Sequence, residues 1–461
     1  MQPDLIKPSG TAFLSICRWI IGIPIALHFL LLASSVLSQG GIIFGKLDLI
    51  ITTIATAGVA TVALFWQSKA VIPRLALITS ALLLPLLLLE GGMRLIQTPA
   101  PTPWPRNVKR ELRLTVDLVG VDPKLQVTTN SLGLRSPEFS VSDLEYAPLS
   151  ILCIGGSTTE CYYVSDENTW PWKLGDLLTE ELGENVIVGN AGRGGHFTLH
   201  HSQQIEHYSY ASLFDCVIVL CGWNDMSTAL YGSYEQRTQE VVDEALVKHP
   251  WDLKKTFPPH SAYYRKTALF TLLQRSMLHY ESPSLSQDRK VVQDAYGKWI
   301  EERRQKRIES LEINPVNSLP KHFEQSLTLY KKNLEKIRQK VSENQTLIFL
   351  TQPTIYSKNT PQDYDALTWA AGDFAYTALA TYEANVAFNE VLRDFCEENA
   401  IACIDLANLL PKDTTVFYDE CHFNSEGCHQ IARTLANQLP SLLPVEALTL
   451  PRQPQQIDLE R

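Results

Sequence analysis

Residues Ser150 to Glu160 read SILCIGGSTTE, an apolar run that breaks at two glycines and continues as Ser-Thr-Thr-Glu. A short apolar run bounded by glycine predicts a strand buried on both faces. Ser157 with Glu160 three residues later is a capping-box pattern that opens a helix. The same grammar recurs outward from this point. NVIVGN (185–190), DCVIVLCG (215–222), TLIFLTQ (346–352) and AIACIDL (400–406) read as further strands. Helices are predicted near 172–182, after His196, and near 321–344, 371–399 and 425–439. Continuous apolar strands alternating with helices predict an α/β fold, a parallel sheet flanked by helices. In such sheets ligands bind beyond the carboxyl ends of the strands.

The chain has 461 residues, 40 basic and 50 acidic, and a net charge of -10. This balance excludes a polyanion such as nucleic acid as the expected partner. The length and the 45% hydrophobic content exclude a disulfide-stapled miniprotein or a largely disordered chain.

Apolar residues concentrate at the front. WIIGIPIALHFLLLASSV (19–36), LIITTIATAGVATVALFW (49–66) and LALITSALLLPLLLL (75–89) predict about three transmembrane helices. The third is marginal in length unless it runs on through Glu90 and Arg94. Three spans with the N-terminus inside place the C-terminal mass on the extracytoplasmic side. Arg106, Lys109, Arg110 and Arg113 after the last span pull the other way. The expected plan is a membrane anchor at 1–97, a Pro-rich extended linker at 98–124, a catalytic domain at 125–445 and a tail at 446–461. Within the domain, 226–319 reads as an insertion and a candidate lid or specificity element. Its GKWIEERRQKRIESLE segment (297–312) reads as a solvated helix face.

The strand ends carry the chemistry: Ser157 in GGST, Gly195 in NAGRGG, Asn224 in GWND, and Asp419 with His422 in DECH. Each alone has a structural explanation as a cap or a tight turn. Together they supply a nucleophilic hydroxyl, an imidazole base, a carboxylate to orient it and donors for an oxyanion, which is what acyl transfer needs. These blocks, in this order, resemble the SGNH (GDSL-type) hydrolase superfamily over roughly residues 125–440, and the resemblance implies a flavodoxin-like parallel sheet flanked by helices. The preceding TNSLGLRSPE (129–138) resembles the lead-in of membrane-anchored bacterial members. Gly156 stands where the name-giving tetrad has Asp.

The resemblance implies Ser157 as nucleophile, His422 as base and Asp419 as its orienting partner. The N–H groups of Ser157 and Gly195 and the amide of Asn224 are then the oxyanion hole. It implies an ester substrate, an acylated glycan or a lipid, with no cofactor and no metal. Hydrolysis is the first expectation, O-acyl transfer to a glycan the second, and a non-catalytic glycan-binding module the third.

Around these positions, His196, Trp223 and Tyr162 are candidates to line substrate, beside Tyr163 and Trp172. His196, His200 and His201 form HxxxHH without a further acidic or thiol ligand at matching spacing, so a pocket or surface role is favoured over a metal. Of the nine cysteines, Cys161 and Cys421 each lie within four residues of a predicted catalytic position. They are a candidate disulfide, with two free thiols as the alternative.

Overall fold

The structure is a computed structural model that describes residues 11–21, 23, 61, 64–95, 102–232, 234–235, 291–293, 297–369 and 374–443. The chain divides into two compact units, one of residues 1–99 with 250–281 and one of 100–249 with 282–461.

In the first unit the described elements are α1 (Thr11–Ile21) and α2 (Val71–Leu95). Among the described residues, the marginal third apolar stretch forms a full helix. It starts before Leu75 and continues through Glu90 and Arg94, which gives it 25 residues. Leu77, Leu84, Leu87 and Leu88 on it are exposed, and the helix is long and apolar enough to cross a membrane. Cys17 and Ile21 of α1 pack on Ile72 and Ala76 of α2. Most of the first and second predicted spans lies outside the described residues.

The second unit is built on a five-stranded parallel sheet. In chain order the named elements are β1 (Lys109–Arg113), β2 (Lys124–Thr128), α3 (Val141–Tyr146), β3 (Ser150–Gly155), α4 (Ser157–Glu160), α5 (Trp170–Leu182), β4 (Ile187–Asn190), α6 (Thr198–His207), β5 (Cys216–Leu220) and α7 (Trp223–Leu230). There follow β6 (Val291–Gln293), α8 (Gly297–Ile313), β7 (Pro315–Val316), α9 (Phe323–Lys340), β8 (Thr346–Leu350), β9 (Ala375–Tyr376), α10 (Ala378–Glu398), β10 (Ala402–Ile404), α11 (Leu406–Leu409) and α12 (Ser425–Leu442). The main sheet has the order β10-β8-β5-β3-β4 with every pair parallel. Counting only its own strands along the chain, that is 2-1-3-4-5 read from the β4 edge, the flavodoxin order.

Every residue of β3 and β5 is buried, as the apolar runs predict. The helices cover the sheet through apolar stripes. Trp170, Leu174 and Leu178 of α5 recur at a spacing of four and meet α12, whose Cys428, Ile431, Ala432, Leu435 and Leu439 repeat at three and four. Glycine at 183, with φ +68°, ends α5 in the left-handed cap. Because β3 leaves the sheet between β4 and β5, the loops after these three strands open onto one crevice.

Two expectations change. The stretch 98–124 is not a free spacer in its described part: β1 pairs antiparallel with β2 and parallel with β6. The charge-dense α8 is not wholly solvated, since Ile300 and Arg307 are buried. Arg307 pairs with Asp365 at 2.8 Å. The rest of the 226–319 insertion, between residues 236 and 290, lies outside the described residues.

Candidate active site

The end of β3 is crowded, which explains its glycines. A Cβ on Gly155 would stand 2.1 Å from Thr159 Oγ1 and 2.7 Å from Leu220 O, so only glycine lets the chain turn there into α4. Ser157 opens α4, a single turn closed by Cys161 in the left-handed region at φ +53°. With so short a helix, individual N–H groups rather than a macrodipole provide the electrostatics expected of a helix start.

Arg135, from the TNSLGLRSPE stretch, braces that turn from behind. Its Nη1 donates to Glu160 O at 2.7 Å and to Cys161 O at 2.6 Å, its Nη2 donates to Val164 O, and its Nε pairs with Asp166 at 2.8 Å. Trp170, fully buried, adds an indole N–H to Thr158 O at 3.1 Å.

The segment 417–423 brings the imidazole to Ser157. It is pinched by a Phe417–Phe423 bridge and by the Tyr418 N–H donating to His422 O at 3.1 Å. Asp419, wholly buried, accepts on Oδ1 from the N–H groups of Cys421 (2.8 Å) and His422 (2.7 Å). Its Oδ2 lies 2.6 Å from His422 Nδ1, and His422 Nε2 lies 2.7 Å from Ser157 Oγ. A carboxylate can only accept, so Nδ1 carries the proton and the Nε2 lone pair faces the serine hydroxyl. Burial disfavours the imidazolium. The Asp419 carboxylate and its hydrogen bond, with Glu420 and Glu160, outweigh burial and raise the His422 pKa above that of free imidazole. Tyr418 stacks on His422 at 5.6 Å and Trp369 at 5.8 Å between ring centroids.

The other two loops meet beside Ser157. Gly195 has φ +77°, a conformation that favours glycine. Asn224, on the first turn of α7, donates from Nδ2 to His196 O at 2.8 Å. An ideal Cβ on Gly156 would stand 2.7 Å from Asn224 Nδ2, and one on Gly194 3.9 Å from Ser157 Cβ. The arrangement offers a polarised hydroxyl, an oriented base and amide donors in one crevice, a set suited to acyl chemistry.

The model of the GDSL-like lipase/acylhydrolase family matches residues 153–430. This chain belongs to that family. The hydrolase is therefore an enzyme that cleaves esters. No curated protein matches it. Among solved structures, this family member is similar to an alpha/beta hydrolase from the metagenome of Lake Arreo at 12% identity, with 65% of this chain and 99% of that one covered and a TM-score of 0.33. It is also similar to a lipase/acylhydrolase of Enterococcus faecalis at 14% identity, covering 67% and 100%, TM-score 0.33. An acetylxylan esterase of Geobacillus stearothermophilus stands at 11% identity, covering 64% and 95%, TM-score 0.33.

Not every residue singled out in the sequence of this GDSL-like hydrolase reaches the crevice. Trp223 is buried in the main core. Tyr162 is half-buried against a smaller apolar cluster that includes Leu112, Ile300 and Tyr418. His196 is partly exposed and stacks on His200 at 4.4 Å. The HxxxHH histidines are not gathered as a ligand set. His200 Nδ1 accepts from the Phe197 N–H, and His201 sits against Gln204, its pKa pushed down to about 4 by burial.

The Cys161–Cys421 pair is not formed, and all nine cysteines are free. Cys161 Sγ faces Cys428 Sγ on α12 at 3.7 Å, because the left-handed cap turns that side chain toward α12. Cys421 Sγ lies 3.5 Å from His422 Nδ1 instead. Trp369, Tyr418 and Glu420 were not anticipated. Glu420 was hidden inside the DECH block, and burial followed by the neighbouring Asp419 pushes its pKa up to about 7.

Proposed function

We propose that this chain is a membrane-anchored serine esterase that works through an acyl-enzyme, with Ser157, His422 and Asp419 as its triad. The observation that carries the reading is the continuous chain from Ser157 Oγ to His422 Nε2 (2.7 Å) and from His422 Nδ1 to Asp419 Oδ2 (2.6 Å). Ser157 Oγ attacks the acyl carbonyl while its proton passes to Nε2 of His422. Asp419 holds the imidazolium. The N–H groups of Ser157 and Gly195, with the second amide hydrogen of Asn224, stabilise the oxyanion. Collapse breaks the ester C–O bond, and the imidazolium protonates the departing alkoxide. Water, deprotonated by His422, then attacks the acyl-serine, releasing the acid and restoring Ser157.

Anchoring rests on α2, the helix Val71–Leu95, whose exposed leucines call for an apolar solvent. The domain then works on an acyl ester outside the cytoplasm, an acylated glycan or a lipid. Purified full-length protein is expected to hydrolyse short acyl esters and to be labelled by a fluorophosphonate at Ser157. Ser157→Ala removes both without unfolding the chain, a loss of at least about 10⁴-fold in kcat. Retained turnover in that variant excludes the assignment. Protease accessibility of residues 102–443 in intact cells tests the side of the membrane.

A further inference from the structure

The described end of the proline-rich linker closes onto the loop that carries Gly195. Trp104 Nε1 donates to Gly192 O at 3.2 Å, and the Arg193 guanidinium lies 4.0 Å from the centre of the Trp104 ring. The same guanidinium donates from Nη1 to Pro103 O at 3.4 Å. Trp104 is itself fixed, its N–H donating to Gly133 O at 3.2 Å and its carbonyl accepting from Thr102 Oγ1 at 2.6 Å.

On its other side the loop is held by the nucleophile turn. The Gly194 N–H donates to the Glu160 carboxylate, and the Arg193 N–H to Gly155 O at 3.0 Å. Gly192 has no room to shift inward, since a Cβ there would stand 2.2 Å from the Glu160 nitrogen. The loop is clamped between α4 and the linker immediately before the backbone turns through Gly195.

We propose that Trp104 is a positioning residue for the oxyanion donor at Gly195, so that the linker is a working part of the active site as well as a tether. The proposal rests on the reading that the Gly195 N–H stabilises the tetrahedral oxyanion. Such a donor is aimed at the transition state, and its value falls steeply when it is displaced. It acts more strongly on the tetrahedral oxyanion than on the ground-state carbonyl. Loosening the linker side of the clamp therefore lowers kcat and leaves KM almost unchanged.

The test uses the full chain in detergent, with p-nitrophenyl acetate as substrate and phenylboronic acid as a ligand that forms a tetrahedral adduct on the serine. Trp104→Ala is expected to lower kcat about 10- to 100-fold, with KM within about twofold and boronate affinity weakened alongside kcat. Trp104→Phe, which keeps a ring beneath Arg193 but has no indole N–H, is expected to fall between. Arg193→Gln is expected to reproduce the loss from the loop side. Wild-type kcat and boronate affinity in Trp104→Ala overturn the proposal. So does a variant that melts earlier yet keeps full kcat per fluorophosphonate-titrated site, because that is a purely structural role. A wild-type protein that neither hydrolyses the ester nor binds the boronate removes the oxyanion reading and the proposal with it.

Discussion

The side-chain amide of Asn224 and the backbone carbonyl of His196 are joined by a 2.8 Å hydrogen bond, and Gly156 lies directly against that contact. A Cβ at 156 would stand 2.7 Å from Asn224 Nδ2 and 3.1 Å from His196 O. The backbone there has φ -82°, so the restriction is one of space and not of dihedral angle. Gly156→Asp, which restores the acidic residue of the family's tetrad, is therefore expected to displace the amide and lower kcat about 10²-fold. Asn224→Ala is expected to lose about 10²- to 10³-fold, and the double variant little more than the single ones, because both act on one donor. Steady-state kinetics on the three variants checks this, and full activity in Gly156→Asp would show that the Asn224 amide is not used.

The acid limb of the rate profile follows from His422. In the proposed mechanism His422 must be neutral to accept the serine proton, and its pKa is raised above that of free imidazole, chiefly by Asp419 against the opposing effect of burial. Activity is therefore lost as pH falls through a midpoint above the free-imidazole value. Glu420, with a pKa pushed up to about 7, is partly ionised in this range and favours the imidazolium. Glu420→Gln removes that charge and moves the acid limb to lower pH. A kcat/KM profile between pH 5 and 9 on wild type and variant reads the direction, and an upward shift contradicts the argument.

The main sheet and the contact between Asp419 and His422 were legible because each is written in neighbouring residues. Ile151 to Gly155 and Cys216 to Leu220 are buried on both faces, so these runs stay apolar, and DECH holds Asp419 and His422 within one turn of chain. What was not legible depends on where distant segments meet. Trp369 reaches His422 through contacts from distant segments, with Arg303 Nε of α8 donating to Trp369 O at 3.1 Å, Arg304 Nε to Leu367 O at 3.2 Å, and the Trp369 N–H donating to the Glu420 carboxylate at 3.2 Å. Nothing local marks that contact. The cysteine pairing failed for a similar reason. Sequence proximity to the triad suggested Cys421, but the cap conformation of Cys161 decides where its side chain points.

Arg135 is a buried cation whose removal leaves a buried anion. Both Arg135 and Asp166 have almost no exposed side chain, at 2% and 5%, and the guanidinium also serves three carbonyls behind Ser157. Burial already raises the Asp166 pKa despite the pairing. Arg135→Met is expected to cost about 3–5 kcal/mol of stability, because Asp166 is left uncompensated and those carbonyls lose a donor. Arg135→Lys keeps the charge but cannot reach all four partners, so it should recover only part of the loss. Denaturant unfolding at pH 7.5 measures both, and an effect below about 1 kcal/mol for Arg135→Met would place the brace elsewhere.

Asp225 gives a stability signature of the opposite sense to an ordinary surface carboxylate. It is completely buried, accepts from Thr198 Oγ1 and Tyr234 OH at 2.5 Å each, and holds the start of α6 against α7. Burial outweighs these donors and raises its pKa from 3.8 to about 6. A carboxyl whose folded pKa lies above its unfolded one favours the folded state fully below the unfolded pKa and loses that contribution as pH rises through the folded pKa. Between about pH 4 and pH 6 this residue alone therefore lowers stability as pH increases, by about 3 kcal/mol in all. Asp225→Asn keeps an acceptor for both hydroxyls and cannot ionise, so it should abolish that component while shifting the absolute stability. Denaturant unfolding of both proteins at several pH values across this window isolates the component as the change in their difference with pH. A difference that stays constant would mean that Asp225 titrates no differently folded than unfolded.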